Sequence, residues 1–184
     1  MTNSAPYQVA FENEYVRIVH VNLAAGQDAP KYTPVAMPMV RVDLNSGQTH
    51  YLEHLAEVHD DAGKTAVREI RVELKSAPKS EPLELDAVRL DPARYTVDFQ
   101  NDRVRIVRLG FAPHERGLMV SHPPRVLVTL TDVAVKLKFL DGRTDERGAP
   151  AGLAGWLETE TLQTENARDQ PLQVVLVEPK SGAF

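Results

Sequence analysis

The sequence predicts an all-β chain of two modules in tandem, the first shorter than the second. Three observations carry this reading. Aliphatic and β-branched residues recur in short runs with a period of two, as expected of strands with one buried face. Thirteen prolines punctuate the 184 residues and leave little room for long helices. The third is an internal repeat: residues 11–24, FENEYVRIVHVNLA, match residues 99–112, FQNDRVRIVRLGFA, at seven of 14 positions with a constant offset of 88. Matching ends follow in the same order, VELK at 72–75 and VEPK at 177–180, which favours duplication over chance.

Along the chain, residues 5–75 are assigned to the first module, 76–93 to a linker and 94–180 to the second module. In the first, Val16, Ile18, His20 and Asn22 alternate with Arg17, Val19, Val21 and Leu23, which reads as a strand. Residues 48–60 read either as a short helix or as two short strands. The stretch SAPKSEP at 76–82 is rich in Pro, Ser and charge, as linkers are. In the second module, residues 104–109 repeat the first strand pattern. VLVTLT at 126–131, VAVKLKFL at 133–140 and LQVVLV at 172–177 read as further strands. Asp141-Gly142 follows one of them directly and predicts a hairpin turn, because glycine accepts a positive φ without penalty.

Composition narrows the function classes. Hydrophobic residues at 42% and charged residues at 26% are ordinary for a folded domain. A net charge of −5 and a pI near 5.7 argue against a nucleic-acid or anionic-membrane surface as partner. No apolar run approaches the roughly 20 residues needed to cross a bilayer. The opening MTNSAPYQVAFENEYVR lacks the basic start and apolar stretch of a signal peptide, so a soluble, cytoplasmic protein is expected. The absence of cysteine excludes disulfides, thiolate nucleophiles, iron–sulfur clusters and Cys-based zinc sites.

FQNDRVRIVR at 99–108, SHPP at 121–124, Asp141-Gly142, TEN at 164–166 and the strand 174–180 together resemble the small bacterial, RmlC-like cupins. The first module is similar through FENEYVRI at 11–18, AGQ at 25–27, HLAE at 54–57 and VELK at 72–75, without most of the hairpin around Asp141-Gly142. The resemblance implies two double-stranded β-helix, or jelly-roll, modules: a bicupin with a truncated, degenerate first half. It further suggests edge-strand pairing into a homodimer, since open sheet edges tend to be covered.

The resemblance also implies where a metal would sit. Active cupins hold a divalent metal with two histidines of an H-x-H pair, a nearby Glu and a later His, a set that leaves positions open for substrate. In the second module the pair falls on Val120 and His122, the Glu on Val126 or Leu127 and the later His on Leu162. In the first, the positions fall near Lys31 and Thr33, then Met37 or Pro38, with His54 as the survivor. A single imidazole in each barrel cannot hold a metal that wants at least three protein ligands, so no cofactor is expected.

The aliphatic replacements imply positions that still face inward. The expectation is therefore an apolar pocket in the second module, formed by His122, Met119, Val120, Trp156 and Leu162, that takes a small-molecule ligand or serves as a scaffold. A second function remains open: an enzyme acting on a small organic or sugar-like substrate, with His122 as acid or base or with a metal on other ligands. HYLEH at 50–54, with His59 as a further candidate ligand, has the order of one class of zinc peptidase, but that chemistry requires a long helix, and the repeat places strand there. His114, where cupins carry a turn glycine, and His20, paired by the repeat with Arg108, read as surface residues. No phosphate-binding glycine loop and no Gly-x-Ser-x-Gly elbow occurs.

Overall fold

In a computed structural model of the chain, residues 5–27, 31–54, 65–79 and 82–180 are described. Strand is the dominant regular structure of the described residues, and a single four-residue turn is their helix. Two compact units divide after Ala77. Among the described residues no helix is long and apolar enough to cross a membrane.

The first unit has β1 (Tyr7–Glu12), β2 (Val16–Leu23), β3 (Met39–Asp43), β4 (Thr49–Leu52) and β5 (Val67–Leu74). They form one antiparallel sheet in the order β1-β2-β5-β3-β4. Val19, Val21 and Leu23 make a buried cluster on one face, with Tyr7, Tyr32 and Val67 packed against it. The ambiguous stretch resolves in part, since residues 49–52 are strand and 55–60 lie outside the described residues.

The second unit opens with a single helical turn, α1 (Ala87–Leu90). The Asp86 side chain caps it by accepting from the Arg89 backbone N–H, and Ala87 is buried in the unit's core. Nine strands follow: β6 (Tyr95–Gln100), β7 (Val104–Phe111), β8 (Arg116–His122), β9 (Arg125–Thr129), β10 (Val133–Phe139), β11 (Thr144–Ala149), β12 (Ala154–Leu157), β13 (Glu160–Asn166) and β14 (Leu172–Pro179). They form two sheets, β12-β9-β14-β7-β6 and β11-β10-β13-β8. Val107, Leu109 and Leu176 of the first sheet share one core with Val120, Leu137 and Leu162 of the second, so the sheets face each other as a jelly roll. The β10–β11 hairpin turns at Asp141-Gly142, with Gly142 at φ +86.

The duplicated segments occupy matching places. Order β1-β2-β5-β3-β4 corresponds to β6-β7-β14-β9-β12. Ile18 stands opposite Val72 and Ile106 opposite Val177. A bulge falls between Val9 and Phe11 on β1, and another between Val97 and Phe99 on β6. Strands corresponding to β8, β10, β11 and β13 are absent from the described residues of the first unit.

Candidate functional site

Between the two sheets of the second unit lies a cavity of about 300 Å³. Its apolar walls come from inward-facing positions of both sheets. Leu127 on β9 and Leu176 on β14 stand opposite each other in one sheet, and Leu137 and Leu162 belong to the facing one. Val133, Val135 and Val174 continue the wall. The cavity reaches the surface beside Arg147 and Leu153, the latter 43% exposed.

Its polar end is formed by His122, Arg125, Glu160 and Arg147. Glu160 pairs with His122 across β13 and β8, which places both side chains on the inner face. Arg125 is buried, and its Nη2 donates to Glu160 Oε2 at 3.0 Å. Arg125 Nη1 donates to the carbonyls of Pro123 and Glu158 at 3.2 and 3.1 Å. Arg147 Nη1 donates to the other Glu160 oxygen at 2.9 Å, and Arg147 Nε to Asp145 at 3.2 Å. Four residues further along their strands, Thr129 and Thr164 line the opposite end. Thr129 Oγ1 donates to the Pro150 carbonyl at 2.7 Å and accepts from the Leu153 N–H at 3.0 Å.

His122 is 3% exposed. Its Nε2 lies 3.5 Å from Tyr95 Oη, at the limit of a hydrogen bond, and its Nδ1 has no partner among the described residues. Burial, reinforced by the Arg125 charge, pushes the imidazole down to about 3, while Asp86 opposes the shift. The ring is therefore neutral at physiological pH. Burial likewise pushes the Tyr95 hydroxyl up, so it stays protonated. Behind the histidine, Arg105 bridges Asp86 at 2.7 Å and the buried Glu178 at 2.5 Å.

The sequence-derived candidates divide. His122 and Leu162 line the cavity, joined by Leu127, the second of the two residues offered for its position. Val120 faces inward but is packed in the core away from the cavity. Met119, one residue from Val120, is on the other face of β8 and does not line it. Trp156 stands opposite Val126, shares its outward face, and donates from Nε1 to Glu158 at 2.6 Å. Met119 and Trp156 are thus outside the wall that the sequence assigned them to. Arg125, Glu160, Arg147 and the threonines were not anticipated.

The donor set does not suit the metal that the cupin resemblance implies. The corresponding positions hold Val120, His122, Val126 or Leu127, and Leu162, which together supply one imidazole. Among the described residues no three His, Cys, Asp or Glu side chains are gathered to hold a metal. In the first unit Lys31, Thr33 and His54 are exposed. His50 lies on the short strand β4 rather than a helix, and His59 is outside the described residues. His114 is exposed in a turn and meets Asp169 at 2.7 Å.

The first unit has charge where the second has its apolar wall. Glu69, Arg71 and Glu73 on β5 correspond in register to Val174, Leu176 and Glu178 and are all buried. Arg71 Nε meets Glu69 at 2.6 Å, and Arg41 Nε meets the other Glu69 oxygen at 2.9 Å. Glu73 accepts from the Tyr32 hydroxyl and from the Val35 N–H at 2.8 Å. The Arg71 guanidinium lies 4.4 Å from the centre of the Tyr32 ring.

No family model matches the sequence, and no curated protein matches it. Solved structures similar to the chain are cupin and RmlC-like double-stranded β-helix proteins. A cupin 2 conserved barrel domain protein from Leptotrichia buccalis is 10% identical with a TM-score of 0.49, over 95% of this chain and 88% of that one. A cupin domain from Bordetella pertussis is 22% identical with a TM-score of 0.42, over 47% of this chain and 91% of that one. An RmlC-like cupin family protein from Methanocaldococcus jannaschii is 12% identical with a TM-score of 0.38, over 57% and 94%.

Proposed function

We propose that the chain is a bicupin-like protein with a reduced first module, whose second module binds a small molecule without a metal and without catalysing its conversion. The observation that carries this reading is the cavity of about 300 Å³ with leucines at two of the expected metal-ligand positions and a single buried histidine. That volume is at the lower end of the range for small-molecule sites, and its aliphatic walls suit burial of an apolar body with one directional contact. The alternative, acid–base catalysis by His122, has less support. A general base works best with a pKa near the operating pH, and this imidazole is pushed down to about 3.

Two measurements test the proposal. Protein purified without a histidine tag and dialysed is expected to carry no stoichiometric iron, manganese, nickel or zinc; a retained equivalent would refute metal independence. A small-molecule screen read by thermal shift is expected to return ligands whose effect weakens in His122→Ala. Equal binding of every such ligand by the variant would remove the histidine from the site.

A further inference from the structure

The polar end of the cavity holds an excess of positive charge. Among the described residues its lining has two guanidiniums, Arg125 and Arg147, against the single carboxylate of Glu160, beside the neutral ring of His122. Asp145, which meets Arg147 Nε at 3.2 Å, does not line the cavity, and both of those side chains are partly exposed. Arg147 is thus compensated from the solvent side. Arg125 is not: it is 4% exposed and shares its one carboxylate partner, Glu160, with Arg147. Burial lowers its pKa in spite of the nearby Glu160 and Glu178, so the surroundings leave this charge under-compensated.

Two unfilled donors accompany the charge. Arg125 donates from Nη1 to two carbonyls and from Nη2 to Glu160, while its Nε is buried without a partner among the described residues. His122 Nδ1 is in the same condition. The Tyr95 hydroxyl, kept protonated by burial, faces Nε2 of that ring, and the tautomer that matches this contact carries its hydrogen on Nδ1. The two side chains leave successive strands three residues apart, and Arg125 is close enough for its charge to depress the imidazole. Two buried N–H groups at one end of a cavity call for an acceptor.

A carboxylate answers both features. Its oxygens accept from the two N–H groups, and its charge sets two carboxylates against two guanidiniums in the lining. An ammonium would meet a Glu160 that already accepts from both arginines. A hydroxyl or carbonyl would accept the hydrogen bonds but leave the charge of Arg125 as it is, and charge-assisted bonds are roughly twice as strong as neutral ones. The aliphatic walls require the rest of the molecule to be hydrocarbon. An apolar cavity of about 150 Å³ accommodates benzene, so twice that volume suits roughly a dozen non-hydrogen atoms. The Arg125 and Thr129 layers are four residues apart on one strand, which sets a length of about 13 Å.

We infer that the site takes a monocarboxylate with a hydrocarbon body, about a dozen non-hydrogen atoms in all, whose oxygens accept from Arg125 Nε and His122 Nδ1. This rests on the cavity being a ligand site, and the test separates the two claims. Three probes of equal chain length, decanoate, 1-decanol and decylammonium, are titrated below their micellar concentrations into the full chain at pH 7.5 and followed by calorimetry. Decanoate is expected to bind at least about tenfold more tightly than decanol, and decylammonium more weakly than either. Decanol or decylammonium binding as tightly as decanoate overturns the carboxylate assignment while leaving the cavity a ligand site. Failure of all three to bind overturns the ligand-site reading itself. In His122→Leu the decanoate affinity is expected to fall about tenfold, the effect of one lost hydrogen bond to a charged group; an unchanged affinity overturns the pairing with the histidine. In Arg125→Leu the advantage of decanoate over decanol is expected to vanish, and a retained advantage overturns the part given to the arginine. The native comparison and His122→Leu stand whether or not Arg125→Leu folds.

Discussion

Replacing His122 with leucine should change how the stability of the second unit responds to acid. The imidazole is buried beside Arg125, and its folded-state pKa is depressed from 6.5 to about 3. The unfolded chain therefore takes up a proton at this ring as the pH falls through 6.5, whereas the folded chain does not. The neutral ring contributes no such penalty above 6.5, and stability is lost progressively as the pH drops from there towards 3. Each pH unit in that window costs about 1.4 kcal/mol, so between pH 7.5 and 5.0 the native protein should lose about 2 kcal/mol more than the leucine variant. Urea unfolding followed by Trp156 is the assay, because the only tryptophan of the chain sits on β12 of this unit. Taking the difference between native and variant at each pH cancels the other carboxylates and histidines to first order. A difference that stays constant within about 0.5 kcal/mol across this range would refute the buried, neutral assignment of His122, since additivity errors are about that size.

Three further substitutions follow from the same geometry, each read by urea unfolding. Glu160→Gln leaves the buried Arg125 guanidinium without its carboxylate and should cost about 3 kcal/mol; a cost below about 1 kcal/mol would show the pair to be solvated. Leu162→Ala should cost about 2–3 kcal/mol, at the low end for a core leucine because one side already faces a cavity, and a neutral result would place Leu162 outside the core. Gly142→Ala should cost about 1 kcal/mol through its φ of +86, whereas Gly155→Ala, which meets no atom within 4 Å, should stay within about 0.5 kcal/mol; equal effects would contradict the hairpin turn.

Alternation along the chain made β2 and β7 legible, whereas β14 was legible from its run of aliphatic and β-branched residues. Leu162 was legible as an inward position because an aliphatic residue stood where the resemblance expects a metal ligand; Val126 and Leu127 were both offered for another such position, and Leu127 is the one that lines the cavity. Trp156 and Met119 were misplaced for one geometric reason: a single residue along a strand reverses the face. Trp156 aligns with Val126 and not with Leu127, and Met119 precedes Val120 by one. The Arg125–Glu160 pair joins residues 35 apart on strands of different sheets, and nothing local in either strand announces it. On β5, Glu69, Arg71 and Glu73 alternate with Ile70, Val72 and Leu74. The structure buries those charges by pairing them with Arg41 and Tyr32, partners supplied from distant positions of the sequence.

The bulges on β1 and β6 bear on how copies of this chain can associate. Each lies on the outermost strand of its sheet, where unpaired backbone groups would otherwise form a continuous template for a neighbour. An inserted residue breaks that row in the middle of a six-residue strand and increases the local twist. A second molecule laid along either edge could match the donors and acceptors on one side of the bulge but would fall out of phase on the other. Val97 and Phe99, both solvent-accessible on β6, thus sit on an edge that cannot zip into an uninterrupted intermolecular sheet. Both copies of the duplicated segment interrupt the outer edge of their sheet at the same place in the repeat.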